Sequence, residues 1–237
     1  MALKFLSDIG LPPPRVLAYG PKGSGKTSSL ATLSKISMNG GLLMSEYGNL
    51  APYFQRCKAI GVESLPQNRV LRVDTYNEIL EALDYFAAEK IDWLGHDSLS
   101  ADSKMFEVEQ FPLGKAYGDN DSFSKWKLLA DRLQEVCKRI KDGPWRFAVT
   151  VGLEEHEGSY ASVFVHGRKS RLELTPWAFN GMAHFSRPTA DKNGNSVHQL
   201  NFAPDGLWDV TCQFSTAEAI KNGPPDWYEI FKKAGRL

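Results

Sequence analysis

Residues 20–27 read GPKGSGKT and follow directly on the apolar run RVLAY at 15–19. The octet fits the pattern G-x-x-x-x-G-K-[ST], whose glycines let the backbone curl until successive N–H groups face a phosphate. Such a loop works only between a strand and a helix, because the helix N-terminus adds its dipole to the cradle. The flanking sequence predicts both, a strand over 15–19 and a helix from Gly25 to about Ile36. In this setting Gly20, Pro21, Lys22, Gly23, Ser24, Gly25, Lys26, Thr27 and Ser28 form the phosphate-binding stretch. Lys26 reaches the β- and γ-phosphates and the Thr27 hydroxyl holds Mg²⁺. No N-K-x-D guanine motif occurs in the chain, which favours ATP over GTP.

Beyond the loop, strands and helices alternate. Strands are expected at 41–46 (GLLMSE), 68–74 (NRVLRVD), 91–97 (IDWLGHD) and 145–152 (WRFAVTVG), each short and apolar. Thr75 with Glu78 makes a capping box ahead of Ile79, Leu80, Leu83 and Phe86 at helical spacing. A short helix and then a loop are expected over 98–121. The clearest helix is 122–141, with Trp126, Leu129, Leu133, Val136, Cys137 and Ile140 on one stripe. Lys138, Arg139 and Lys141 sit at its C-terminal end, where positive charge suits the dipole. From 160 to 212 the texture turns β-rich, and Asn193-Gly194 signals a hairpin between MAHFSRP and VHQLNFAP. A helix is expected again over 226–235. Alternation up to residue 152 argues an α/β fold with a mostly parallel sheet, extended by antiparallel hairpin strands in the C-terminal third. The expected organisation is one domain: a lead at 1–14, a nucleotide-binding core at 15–152, and a β-rich extension with a helix at 153–237.

The bulk numbers restrict the function. The chain has 237 residues, 42% hydrophobic, enough for a core of this class. Lys and Arg number 28, as do Asp and Glu, so the formal net charge is zero. That disfavours a protein holding nucleic acid by bulk charge, and any such role needs a local patch or an assembled array. Cys57, Cys137 and Cys212 form no C-x-x-C pair, which points to reduced thiols and a cytoplasmic setting. No secretory leader and no 18-residue apolar run are present in the sequence, so a soluble chain without membrane contact is expected.

Hydrolysis needs two more acids. One supports the metal from the tip of a neighbouring strand, and Asp97, ending WLGHD about seventy residues after Thr27, fits that place. Asp74 is the rival, but it lies where the Thr75 capping box begins and so has a local task. The other acid orients or deprotonates water. Glu46 closes the strand that follows the phosphate-loop helix and projects toward the γ end of a nucleotide. The expected catalytic set is therefore Lys26, Glu46 and Asp97, with Thr27 and Asp97 on the metal.

These pieces in this order resemble the RecA-like ATPases, and most of all the small RecA-core proteins of bacteriophages that act in single-strand annealing and recombination. GPKGSGKT is similar to their phosphate loop, LLMSEYGNL (42–50) to their strand with a catalytic glutamate, and WLGHDSLS (93–100) to their strand ending Asp-Ser. The resemblance covers 15–152, and the rest only loosely. It implies an oligomeric ATPase acting on single-stranded DNA in a bacterial or phage-infected cell, with a single-strand-binding or recombination protein as a further partner. It also implies DNA-facing loops at 111–121, offering Lys115 and Tyr117, and at 153–171, offering Arg168, Lys169 and Arg171 beside His166. Charge with a stacking ring suits single strands. A basic residue completing the site from a neighbouring subunit is implied too, with Arg168, Arg187 and Lys192 as candidates. The sequence departs from the family at VTVGLEEHE (149–157), which carries no glutamine where a γ-phosphate sensor is usual; Glu154, Glu155 and His156 are the substitutes at hand. Two other readings fit a phosphate loop: a nucleotide-dependent switch or adaptor that binds proteins, kept open by the zero net charge, and a small-molecule kinase, disfavoured by scattered arginines and the lack of a lid.

Overall fold

In the computed structural model, residues 12–46, 50–111, 122–166, 175–203, 207–208, 210–215 and 222–237 are described. The chain begins with β1 (Arg15–Gly20), buried along its whole length, as expected of a strand covered on both faces. Next come α1 (Lys26–Ser29), β2 (Gly40–Met44), α2 (Ala51–Ile60), β3 (Val70–Arg72), α3 (Tyr76–Ala88), β4 (Trp93–Asp97), α4 (Leu99–Gln110) and α5 (Ser122–Asp142). The remainder is β5 (Phe147–Glu157), β6 (Tyr160–Phe164), α6 (Thr175–Ala178), β7 (Gly181–Phe185), β8 (Thr189–Ala190), β9 (Ser196–Val197), β10 (Leu200–Asn201), β11 (Thr211–Cys212), β12 (Asn222–Gly223) and α7 (Trp227–Lys233).

One sheet runs in the order β12-β10-β7-β1-β5-β4-β2-β3, with β11 also pairing β7 and β6 pairing β5. From β7 to β3 every pairing is parallel, whereas β6, β10, β11 and β12 join antiparallel. The fold is therefore of the α/β class expected, a mostly parallel sheet extended by antiparallel strands. Side chains alternate across it. Leu17, Tyr19, Leu43, Leu94 and Ala148 join the core under α3, α4 and α5. Val16, Ala18, Leu42, Met44, Trp93, Phe147, Val149 and Val151 join the other, under α2, α7 and the segment after α1.

Several expectations need correcting. The helix after the loop stays α-helical only to Ser29 and tightens into a 3-10 helix over Leu30–Lys35. Hydroxyls compete with the regular ladder there, Ser29 Oγ donating to the Lys26 carbonyl and Thr32 Oγ1 to that of Ser29. The Trp227 indole then donates to Ser29 Oγ at 3.0 Å, and the Trp227 amide to Thr32 Oγ1 at 2.8 Å. Residues 68–74 hold only a three-residue strand. The strand expected to end at 152 runs on to Glu157 and turns at Gly158 (φ 71°) into β6. β7, although it lies in the C-terminal third and follows the antiparallel β6, enters beside β1 in parallel. The 193–194 turn does close a hairpin between β8 and β9, as a five-residue turn in which Asp191 accepts from the Asn193 and Asn195 amides. Helix α2 has no counterpart in the sequence expectation, because it buries only Tyr53 and Cys57.

Candidate functional site

Parallel strands that end together leave their following loops on one edge, and a ligand crevice opens there. β1, β2 and β4 deliver the phosphate loop, Glu46 and Asp97 to that edge. β5 lies between β1 and β4, with Gly20 level with Leu153 and Val151 level with Asp97. The loop and these acids line a cavity of about 640 Å³ together with Pro52, Leu153 and His198.

Within the loop, Gly23 and Gly25 take positive φ, 80° and 94°, a conformation that a side chain would strain. Gly20 is packed against the end of β7, where a Cβ would lie 2.5 Å from the Phe185 carbonyl oxygen. Lys26 folds back over the loop, its Nζ donating to the carbonyls of Gly20 at 2.8 Å and Pro21 at 2.7 Å. Burial lowers its pKa, against the pull of Asp97, Glu46 and Glu154. Thr27 Oγ1 donates to Asp97 Oδ2 at 2.6 Å. Asp97 is 2% exposed, and burial pushes its pKa up to about 6, opposed by the Thr27 hydrogen bond.

The two acid-bearing strand ends are tied together. Ser45 and Ser98 exchange hydrogen bonds, the Ser98 amide donating to Ser45 Oγ at 3.1 Å and Ser45 Oγ to the Ser98 carbonyl at 3.2 Å. Ser98 Oγ donates to Glu46 Oε1 at 3.2 Å and caps α4 by accepting from the Ala101 amide. The Asp97–Ser98 peptide is cis. Asp102, one turn into α4, reaches back to His96 at 3.0 Å, both fully buried.

Thr27 and Asp97 offer a hydroxyl and a carboxylate side by side, the hard oxygen donors that Mg²⁺ takes alongside water and phosphate. Asp97 is buried and beside the Thr27 hydroxyl, where a cation would offset the cost of burying its charge, so the pair fits the ion.

No family model and no curated protein matches the sequence. Among solved structures, a KaiC-like protein from the hyperthermophilic archaeon Pyrococcus horikoshii is similar, with 14% identity over 92% of this chain and 89% of that one and a TM-score of 0.45.

The structure thus brings together Lys26, Thr27, Glu46 and Asp97. Asp74 lies at the far edge of the sheet beyond β3, with its amide on Glu78 Oε2 and its carboxylate 3.4 Å from Arg72. Of the sensor candidates, Glu154 and His156 pair with each other at 2.5 Å on the β5–β6 hairpin, and it is Leu153 that lines the cavity. Arg187 and Lys192 are exposed on and beside the β8–β9 hairpin, and Arg187 makes no ion pair with any described residue. Lys115, Tyr117, Arg168, Lys169 and Arg171 lie outside the described residues. Cys57 and Cys137 are buried and Cys212 is half-buried, all as free thiols. No helix among the described residues is long and apolar enough to cross a membrane. Sequence reasoning missed His198, which reaches the loop from 174 positions away; nothing in the local sequence marks it.

Proposed function

We propose that the chain is a Mg²⁺-dependent ATPase of the RecA-like type, with the crevice at the ends of β1, β2 and β4 as its nucleotide site. The observation that carries this reading is the Thr27–Asp97 hydrogen bond, which joins the loop to the strand-end acid across an intervening strand, beside Lys26 and Glu46. Lys26 exchanges its two loop carbonyls for β- and γ-phosphate oxygens. Asp97 and Thr27 would hold Mg²⁺, which when bound would neutralise charge on the phosphates. Glu46, held by the Ser98 hydroxyl, orients a water toward the γ-phosphorus and accepts its proton as the new P–O bond forms and the bond to the β-phosphate oxygen breaks, releasing ADP and phosphate.

We extend the reading to a homo-oligomer acting on single-stranded DNA in recombination or annealing, with Lys115, Tyr117, Arg168, Lys169 and Arg171 as contacts. Support for this extension comes from the sequence of those loops and the RecA-like resemblance. ATP hydrolysis by the purified protein, with and without single-stranded DNA and beside Lys26→Ala, is the test. Hydrolysis abolished in the variant supports the nucleotide site, and stimulation by DNA supports the extension. Hydrolysis indifferent to DNA, with no DNA binding at low salt, refutes the extension and leaves a protein-binding switch as the reading to pursue.

A further inference from the structure

We infer that His198 is a positioning residue of the phosphate loop: it fixes the Ser24–Gly25 peptide so that the Gly25 N–H points at the phosphate. His198 Nδ1 lies 2.8 Å from the Ser24 carbonyl oxygen. That oxygen can only accept, so Nδ1 carries the proton and donates. In a trans peptide the C=O and the next residue's N–H point in opposite directions. Holding the Ser24 carbonyl on one side therefore aims the Gly25 N–H to the other. The hydrogen bond also polarises that N–H, strengthening it as a donor to an anion.

Gly25 is shaped for this arrangement. With φ at 94° it is the residue immediately before α1, and a Cβ there would lie 3.0 Å from His198 Nδ1. The imidazole thus occupies the space that any side chain at 25 would need. Its own support is firm, because Gln199 accepts from the Ser186 amide at 3.1 Å, and Leu200, 1% exposed, pairs with Phe185 in the sheet. β7 runs beside β1, so the C-terminal strands hold the histidine over a loop at the other end of the sequence.

The inference rests on the nucleotide site proposed above. The test is binding of inorganic tripolyphosphate and of ATP to the wild type and to His198→Leu, His198→Asn and His198→Gln, with melting temperatures of the free proteins. Asn carries its amide nitrogen where Nδ1 sits, whereas Gln carries its own near Nε2. Expected are a loss of about tenfold in tripolyphosphate and ATP affinity for the Leu and Gln variants, and recovery to within about threefold for Asn, all with melting near wild type. Unchanged tripolyphosphate affinity in the Leu variant overturns the inference, as does rescue by Gln and not by Asn, which assigns the role to Nε2. Binding of neither ligand by the wild type would sink the nucleotide site itself, and the inference with it.

Discussion

Asp97 is a carboxylate held where its charge is costly. Its native pKa of about 6 lies above the ordinary 3.8, so the folded chain binds this proton more tightly than the unfolded chain does. The stability that goes with the protonated form is complete below the ordinary value and is lost as pH rises through about 6. Asp97→Asn removes that penalty and still offers an oxygen to the Thr27 hydroxyl. The variant is expected to be more stable by about 1–3 kcal/mol at pH 8 in the absence of ligand, with the gain gone at pH 4. It is also expected to lose Mg²⁺-dependent hydrolysis. Urea unfolding at both pH values, with a phosphate-release assay, checks it; a destabilised variant at pH 8 contradicts the account. Glu46→Gln keeps an acceptor for Ser98 Oγ and removes only basicity. Turnover is expected to fall about 10²-fold or more, with ATP affinity kept within about threefold, which a turnover assay beside a binding titration separates.

Among the elements, β1 is tied to the end of α5 by a buried arginine. The Arg15 guanidinium donates to the carbonyls of Pro14, Lys141, Gly143, Trp145 and Arg146. No carboxylate among the described residues lies in hydrogen-bond range of it, and burial lowers its pKa to about 10 against the pull of Asp142. Arg15→Met fills the space but strips five carbonyls of their donor. The expected cost is about 2–4 kcal/mol, read as a fall of several degrees in melting temperature, with the ATP affinity of the folded protein unchanged. Elements carrying their own signals were legible in the sequence. The phosphate loop, the Thr75 cap with its bond from the Glu78 amide, and the α5 stripe stand where the residues point. Glu46 and Asp97 were legible because a parallel strand ends where its apolar run ends. Helix α2 was not, since two buried residues make no stripe. His198 and Arg15 act on partners more than a hundred positions away, and the hydroxyls behind the 3-10 tightening after Ser29 are held by Trp227 from equally far, so no local window holds the whole of that information.

For the whole molecule, the site is a meeting of distant segments, and ligand binding should be felt throughout. Mg²⁺–ATP at about 100 times its Kd is expected to raise stability by about 2.7 kcal/mol, a shift in melting temperature of about 5–10 °C. Lys26→Ala should show no such shift, and thermal melting with and without nucleotide decides it. The C-terminal helix belongs to the same unit. Through Trp227, fully buried, and the Lys35–Asp226 ion pair at 2.5 Å, α7 clasps the segment that continues α1.

β1 is flanked on both sides by parallel partners, β5 and β7, over nearly its whole length. Its amide protons can reach deuterium only when the entire sheet comes apart, so Val16–Tyr19 should exchange at the slowest rate in the chain, set by global unfolding. The short, exposed β8–β9 ribbon should exchange within moments. The phosphate loop thus hangs from a cord anchored on both sides, and nucleotide binding at 20–27 should leave the slow exchange of Val16–Tyr19 unchanged except through global stability.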